Sequence, residues 1–214
     1  IDREIHVKFL YLAASAVALM ASTSVVAQTA PAATPAANPL LADWTGPMGG
    51  VPPWDKVRPD LFPQAFETTL AERAADYRKI ADNPAKPTFA NTIVPMQLAG
   101  KRYGRVMTLF GVMTGNMNTP AYQKLDREWS PKFSAASDAI TFDKPLFARI
   151  QAIYDTRNSS GLTAKQIRLV TRIYDSSVRQ GAKLNDAQKA QLSQYNQQLA
   201  TAFSTFGEKL LADE

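Results

Sequence analysis

The chain has 214 residues, of which 45% are hydrophobic, and a formal net charge of +5. That length allows one or two domains with real cores. The chain contains no cysteine, which excludes disulfides, a thiolate nucleophile and cysteine metal ligands. The positive charges are spread along the predicted helices, so we expect solubility and only weak attraction to acidic partners.

The first 27 residues have the pattern of a signal peptide. Residues 9–20, FLYLAASAVALM, form an uncharged apolar run that follows Lys8 and precedes the short residues Val25, Val26 and Ala27. The run is too short to span a bilayer, so we predict export without a stable membrane anchor. The alternative is a buried helix of the folded domain. Because residue 1 is not Met, we expect an incomplete or mis-started N-terminus.

The only histidine, His6, lies within the predicted signal peptide. The mature chain would then lack an imidazole, which excludes most zinc sites and most Ser-His or Cys-His nucleophile systems. The sequence also lacks G-x-G-x-x-G, a P-loop and H-E-x-x-H. We therefore predict no catalytic, cofactor-binding or metal-binding residue in this chain.

A Pro-rich region precedes the helical part. Residues 28–38 form an Ala/Pro-rich spacer, and residues 39–62 are dense in Pro and Gly, which disfavours a helix or a central strand. We predict that residues 39–62 form an extended, ordered arm whose aromatic side chains lie on a helical body. A peptide-binding platform formed by Trp44 and Trp54 is the alternative. The arm contains these large apolar residues: Leu40, Leu41, Trp44, Val51, Trp54 and Leu61.

Residues 63–214 show apolar side chains at helical spacing and no convincing alternation, which predicts an all-α domain. Start and stop signals place helices at 63–83, from 88 through 110, and at 120–140, 144–157, 163–181 and 185–211. Thr119, Asp143 and Thr163 are the predicted caps of three of them, the last in capping-box spacing with Gln166. The last two helices are joined by the short link GAKLN and should pack as an antiparallel hairpin.

The segment KPTFANTI, residues 86–93, places three polar residues around one Phe. Thr88 is well placed as an N-cap whose hydroxyl accepts a hydrogen bond from the backbone near Asn91. An apolar stripe then begins at Ile93 and continues along the helix. We therefore interpret Thr88, Asn91 and Thr92 as a helix start and not as a site.

Two sets of basic side chains suggest a binding patch but have simpler interpretations. The first set is Lys101, Arg102, Tyr103 and Arg105. We interpret it as the solvated basic face of a helix, and a phosphate-binding or nucleic-acid-binding patch is the alternative. The second should pair with carboxylates of the hairpin partner or face water: Arg168, Arg172 and Arg179. We expect no nucleic-acid partner.

The carboxylates and methionines also favour structural roles. Asp126 and Glu128 are two residues apart and cannot share a helix face, so they do not form an acid–base pair. Four methionines are interpreted as core residues and not as a metal site or a binding stripe: Met96, Met107, Met113 and Met117.

Several segments, taken in order and spacing, resemble a known family. They are NPLL (38–41), PPWDKVRPDLFPQAFE (52–67), NPAKPTFANTIVPM (83–96) and the late run from LTAKQ (162–166) to GEKLL (207–211). Together they resemble the N-terminal region of the thimet oligopeptidase family of zinc metallopeptidases. Within it, the likeness is to bacterial peptidyl-dipeptidases (dipeptidyl carboxypeptidases), with oligopeptidase A as the near alternative. The resemblance covers residues 38–211.

The resemblance implies a mostly helical, monomeric zincin-type peptidase, exported to the periplasm of a Gram-negative bacterium, whose channel admits short peptides. In that family zinc is held by two His of an H-E-x-x-H helix and a downstream Glu, none of which can be assigned here. We therefore expect residues 63–214 to be an incomplete helical domain that ends in the predicted hairpin. The chain would be an N-terminal fragment of an enzyme that removes C-terminal dipeptides, bind no zinc itself and be inactive alone.

A stand-alone periplasmic binding or chaperone module is the second hypothesis, in which the Trp44 and Trp54 arm holds extended peptides. A self-sufficient domain should bury its apolar stripes, whereas a fragment should leave a large face of the last hairpin uncovered. The fragment is favoured by an apolar cluster near the end of the chain: Phe203, Phe206, Leu210 and Leu211.

Overall fold

A computed structural model describes residues 37–47 and 50–212 of the chain. Its helices are α1 (Phe62–Ala81), α2 (Val94–Leu98), α3 (Lys101–Asn116), α4 (Pro120–Thr141), α5 (Lys144–Thr156), α6 (Ala164–Arg179) and α7 (Asp186–Ala212). A π-helical turn, Phe89–Ile93, leads directly into α2. The only β pairing among these residues is one bridge between Thr45 and Val51, so the predicted all-α class is confirmed. The predicted signal peptide lies outside the described residues.

The Pro-rich arm is folded into short 3₁₀ turns and is not extended throughout. These turns span Pro39–Leu41, Trp54–Lys56 and Pro59–Leu61. The Asn38 side chain ties the arm together, because its Oδ1 accepts from the Leu40 N–H at 3.0 Å and its Nδ2 donates to the Leu61 carbonyl at 2.8 Å. Leu40 is 1% exposed and belongs to the main core. The arm is therefore part of the folded body.

Aromatic side chains from α1, α3 and α4 fill the main core. The Phe66 ring on α1 lies edge to face with Phe110 on α3, at 5.0 Å, and with Phe133 on α4, at 4.8 Å. Phe62 and Trp129 join this cluster from the next turns of α1 and α4, because residues four apart share a helix face. Such aromatic pairs each add about 0.5–1.5 kcal/mol beyond area burial, and they fix the three helices together.

Helices α5 and α6 pack around aliphatic side chains. Ile153 on α5, Val170 on α6 and Ile93 at the end of the π-turn form one buried cluster. Ile80 on α1 and Ile150 on α5 belong to a second one. The two clusters connect α5 to both α1 and α6.

Two of the predicted helix caps are confirmed. Asp143 Oδ1 accepts from the Leu146 N–H at 2.7 Å at the start of α5. Thr163 and Gln166 exchange hydrogen bonds of 2.9 and 3.3 Å across the first turn of α6. Thr119 occupies the N-cap position of α4, but its side chain makes no capping hydrogen bond. The local feature that favours the start of this helix is therefore Pro120 at its first position.

The prediction of one continuous helix from residue 88 through residue 110 is wrong, because the helix is interrupted at Gly100. Gly100 has φ +67° and separates α2 from α3. Glycine suits this left-handed backbone, and a Cβ there would lie 2.9 Å from Cγ of Arg73 on α1. The Gly100 N–H donates to Asp76 Oδ2 at 3.2 Å. Contact with α1 therefore ends the helix although the apolar periodicity continues.

The predicted hairpin of the last two helices is also wrong. Helix α7 packs along α4, whereas α6 packs on α5. Gly181, with φ +99°, redirects the chain after α6, and Lys189 of α7 donates to the Phe142 carbonyl at the end of α4 at 3.1 Å. Polar pairs then hold α7 to α4: Asn196 with Asp138 at 2.9 Å, Ser204 with Asp126, and Glu208 with Arg127.

Tyr122 on α4 carries a buried hydroxyl without a hydrogen-bond partner among the described residues. Its ring packs edge-on against Phe62 at 5.9 Å. Burial, and to a smaller extent the charge of Asp60, raise the pKa of the hydroxyl above its usual value of 10.0. Because the pKa of Tyr122 is higher in the folded state, its protonation contributes to the stability of the fold. This contribution is fully present below the unfolded-state pKa and is lost as the pH rises through the folded-state pKa.

We predict that Tyr122→Phe is neutral or stabilises the protein by up to about 1 kcal/mol at pH 7, because it removes an unpaired buried hydroxyl and keeps the ring contact. It should also weaken the loss of stability as the pH rises above about 10, because the folded-state pKa of Tyr122 is raised. Urea unfolding at pH 7 and at alkaline pH measures both effects, with Tyr195→Phe at an exposed position as the control. A loss above about 1 kcal/mol at pH 7 would contradict this account.

Candidate functional site

One buried guanidinium organises the segment that contains KPTFANTI. Arg149 on α5 is 6% exposed and forms no ion pair among the described residues. Its Nη1 donates to the carbonyls of Asn83 and Ala85 at 2.6 and 3.0 Å. Its Nη2 donates to Asn91 Oδ1 at 3.0 Å and its Nε to the Thr92 hydroxyl at 3.2 Å. Four neutral acceptors thus satisfy a buried positive charge.

The polar residues of KPTFANTI form a helix start, as predicted. Thr88 Oγ1 accepts from the Asn91 N–H at 3.1 Å, and Asn91 Oδ1 accepts from the Thr88 N–H at 2.8 Å. This reciprocal pair is a capping box at the start of the π-turn. Thr92 is buried and donates its hydroxyl to Asn91 Oδ1 at 2.9 Å. The segment is therefore a helix cap that Arg149 anchors to α5.

Sequence reasoning missed Arg149 as the partner of this cap. The residue follows Thr92 by 57 positions, so no local spacing connects the two. One signal was available, because Arg149 falls on the apolar face of α5 that also carries Leu146, Ile150 and Ile153. A charged residue at such a position implies a buried polar partner elsewhere in the chain.

The basic residues at the start of α3 connect the arm to the body. Arg102 contacts Glu72 of α1 at 2.5 Å and donates to the Leu41 carbonyl at 2.9 Å. Arg105 pairs with Asp43 at 2.6 Å. The predicted solvated face is therefore wrong for these two arginines, which hold the Pro-rich arm in place.

A groove lies between α1, α4, α5 and α6. Its polar part is a cavity of about 540 Å³ that Arg73 enters from α1 and Arg172 from α6. Arg73 lies over the rings of Tyr103 and Tyr77, at 4.9 and 5.8 Å from their centroids, and donates to the Ser137 hydroxyl at 3.5 Å. An adjoining, mostly apolar cavity of about 420 Å³ also contacts Arg73. The groove therefore offers guanidinium donors for an anionic group beside an apolar surface.

The carboxylates of α4 have separate structural partners. Asp126 accepts from Ser130 at 2.9 Å and from Ser204 of α7. Glu128 pairs with Lys132 at 2.9 Å. The predicted lack of an acid–base pair at these two residues is consistent with this arrangement. Across residues 37–47 and 50–212, no group of three or more His, Cys, Asp or Glu side chains is placed to hold a metal ion.

The proposed tryptophan platform is not formed as a pair. Trp44 packs against the main core, and the chain passes so close that a Cβ on Gly50 would lie 2.5 Å from the Trp44 carbonyl carbon. Trp54 is 43% exposed on a 3₁₀ turn. One ring therefore serves the fold, and only the other is available at the surface.

The remaining predicted groups divide between core and surface. Met117 is exposed at the end of α3, so its interpretation as a core residue is wrong. Arg168 and Arg179 are exposed on α6, which is one of their two predicted outcomes, while the helix assumed as their partner packs along α4. Three methionines pack against the core clusters, as predicted: Met96, Met107 and Met113.

Helix α7 carries an uncovered apolar face, defined by five side chains that are each more than half exposed: Tyr195, Leu199, Phe203, Phe206 and Leu210. Their spacing of three and four residues places them within an arc of about 80°. Residues 190–207 contain no Asp, Glu, Lys or Arg, so this face follows an uncharged helical segment roughly 26 Å long. Leu211, the last residue of the predicted cluster, lies outside the side chains that the structure describes.

The side of α7 that contacts α4 is fixed by polar side chains. Asn196, Ser204 and Glu208 make the side-chain hydrogen bonds and the ion pair to α4. None of the three core clusters of the described residues includes an α7 side chain. An ordinary surface helix turns its apolar side inward, and α7 has the reverse arrangement. This arrangement is typical of a helix with a further packing partner.

The chain is similar in sequence to known bacterial peptidases. Over 175 residues the chain is 35% identical to the dipeptidyl carboxypeptidase of Escherichia coli (strain K12), which is 82% of this chain and 26% of that protein. It is 33% identical over the same shares to the dipeptidyl carboxypeptidase of Salmonella typhimurium (strain LT2). The chain is homologous to the N-terminal region of dipeptidyl carboxypeptidase. It spans about a quarter of the length of the curated relatives it matches. No protein-family model matches it.

The homology to dipeptidyl carboxypeptidase confirms the resemblance found in the sequence. The zinc that this resemblance implies does not fit the residues described here, because they include no suitable ligand cluster. None of the described helices is both long and apolar enough to cross a bilayer. Two surfaces described above are candidates for a functional role: the Arg73–Arg172 groove and the apolar face of α7.

We predict that Arg149→Met destabilises the protein by about 3 kcal/mol, because four acceptors, among them the buried Thr92 hydroxyl, lose the guanidinium as a donor. Arg149→Lys should lose about 2 kcal/mol, since one ammonium cannot reach all four. Thermal and urea unfolding measure both values. Arg168→Met, at an exposed position on α6, is the control and should change stability by less than about 0.5 kcal/mol. Equal stability of Arg149→Met and the control would show that the guanidinium is dispensable.

We predict that replacing Leu199, Phe203 and Phe206 together by Gln at least halves the fluorescence of an anilinonaphthalene sulfonate dye bound to the chain, because these side chains form the exposed apolar face. The melting temperature should fall by less than about 3 °C, since the side chains already face water. Val112→Gln on α3, combined with Met117→Gln just after that helix, is the matched control for exposed apolar residues elsewhere. A large fall in melting temperature would mean that the α7 face is buried.

Proposed function

We propose that the chain is the N-terminal helical part of an exported zinc metallopeptidase that removes C-terminal dipeptides from short peptides. The observation that carries this proposal is 35% identity over 175 residues to a dipeptidyl carboxypeptidase. The order and spacing of four sequence segments support the same family. The share of the relatives that is matched, 26%, supports a role as one part of the enzyme.

The physical role proposed for this part is to form one wall of a channel that admits peptides and excludes folded proteins. A rigid helical body suits such a wall, and the aromatic core and the Arg149 anchor provide rigidity. The groove with Arg73 and Arg172 supplies donors for peptide carboxylates. The complete enzyme would act on short peptides as a monomer.

The zinc site of the proposed enzyme would belong to the polypeptide that has no counterpart in this chain. The described residues supply no ligand set, and the one His of the sequence is His6. When bound, zinc polarises a peptide carbonyl and activates water. The chain alone should therefore be inactive, and its own contribution would be to position the substrate and to limit its size.

Export to the periplasm forms part of the proposal. It rests on the apolar run of residues 9–20 and the short residues before position 28. The absence of cysteine suits an oxidising compartment, since no thiol can mispair there. Arg102 pairs with Glu72 of α1 and Arg105 with Asp43 of the arm, so these two basic side chains have partners within the chain.

There are two alternatives to this proposed function. An oligopeptidase A-like endopeptidase would share the same helical part and differ in its catalytic part. A stand-alone peptide-binding module would use Trp54, which is exposed on the arm. Titration of the 214-residue chain with an extended apolar peptide tests this second alternative, which requires binding that Trp54→Ala abolishes.

The proposed function is tested by a chimera. The matched N-terminal segment of the Escherichia coli dipeptidyl carboxypeptidase is replaced by residues 37–212 of this chain, and dipeptide release from a short peptide is measured. We expect activity within about tenfold of the parent enzyme, because the two segments are homologous. A metal chelator should abolish it, and the 214-residue chain alone should release no dipeptide.

The control is the same enzyme without its N-terminal segment, which should be inactive. With residues 1–36 of this chain placed in front, the chimera should appear in the periplasmic fraction. A folded chimera that releases no dipeptide would contradict the proposed function, and a cytoplasmic product would contradict export.

A further inference from the structure

The apolar face of α7 has the composition of an interface core. Aromatic residues are enriched and charges are depleted at the centres of protein interfaces. The face presents Tyr195, Phe203 and Phe206, and the helix carries no charge from residue 190 to residue 207. The first charged residue beyond it, Glu208, is held by Arg127 of α4. Over its uncharged segment this helix therefore lacks the solvated charges typical of a free surface.

We propose that this face docks the catalytic part of a dipeptidyl carboxypeptidase, which is the polypeptide corresponding to the unmatched three quarters of the relatives. The inference rests on the proposed function and names the partner of this surface. It assigns α7 as a two-sided connector, with a polar side toward α4 and an apolar side toward the catalytic part.

Size and polarity favour this partner over elements of the chain itself. The described elements leave the face exposed. The sequence between the predicted signal peptide and the described body, QTAPAATPA, contains only small or polar residues and no large apolar side chain. A helical segment roughly 26 Å long needs a partner with its own apolar surface, and the unmatched part of the relatives is the largest polypeptide implied by the homology.

Contacts within the domain also favour a docked position for α7. Its hydrogen bonds to α4 run through Asn196 and Ser204, and its first turns are tied to α4 by Lys189. These polar contacts fix the rotation of the helix, which directs the five apolar side chains away from the main core. The orientation of the face is therefore specified by the fold, as a docking surface requires.

The test uses the chimera described above with two single substitutions on α7. Phe203→Glu places a charge midway along the length of the face, and Gln198→Glu places the same charge on an exposed position about 140° away around the helix. We expect Phe203→Glu to lower dipeptide release at least about tenfold and to lower the melting temperature of the chimera by at least about 5 °C. Gln198→Glu should remain within about twofold in activity.

The isolated 214-residue chain provides the second measurement. Both substitutions should leave its melting temperature within about 2 °C of the parent, because both side chains already face water. This difference between chain and chimera separates docking from a general effect of charge on the helix.

Each contrary outcome is decisive. An active chimera that tolerates both substitutions overturns the docking proposal and leaves the proposed function standing. A chain that is dimeric by light scattering, and monomeric after Phe203→Glu, assigns the face to a second copy and overturns docking of the catalytic part. A folded but inactive parent chimera overturns the proposed function, and a chimera that does not fold counts against both.

Discussion

The buried guanidinium of Arg149 is the constraint on which much of this fold depends. A full charge removed from water needs acceptors within hydrogen-bonding distance, and here all four belong to the segment from Asn83 to Thr92. Their positions relative to α5 are therefore tightly defined. Because α2 follows this segment directly, the same contact determines where the chain meets α1 and where it turns at Gly100.

Local signals in the sequence predicted the elements of this fold well. Caps such as Asp143 and Thr163 act within one helical turn, so their roles could be inferred from spacing alone. The break at Gly100 could not, because it depends on the Arg73 side chain of another helix. Apolar periodicity continues across it, so the spacing alone does not show that the two helical segments are separate.

The surfaces were predictable in composition but not in placement. The apolar cluster of Phe203 and Phe206 was evident from the sequence, whereas its support by α4 was not, because the polar pairs that hold α7 are distant in the chain. The same limit applies to Arg102 and Arg105, whose local pattern resembles a solvated face although each reaches the arm. The sequence shows which charged side chains a helix carries, but their partners are distant in the chain and are seen only in the folded structure.

The separation of α7 from the core clusters has a consequence for the order of folding. The three core clusters of the described residues contain no residue beyond Gly181, so their packing does not require α7. During synthesis this body can condense while α7 is still inside the ribosome. Docking of α7 then becomes a later, separate step driven by polar pairing, and the body has by that time already formed the surface that orients it.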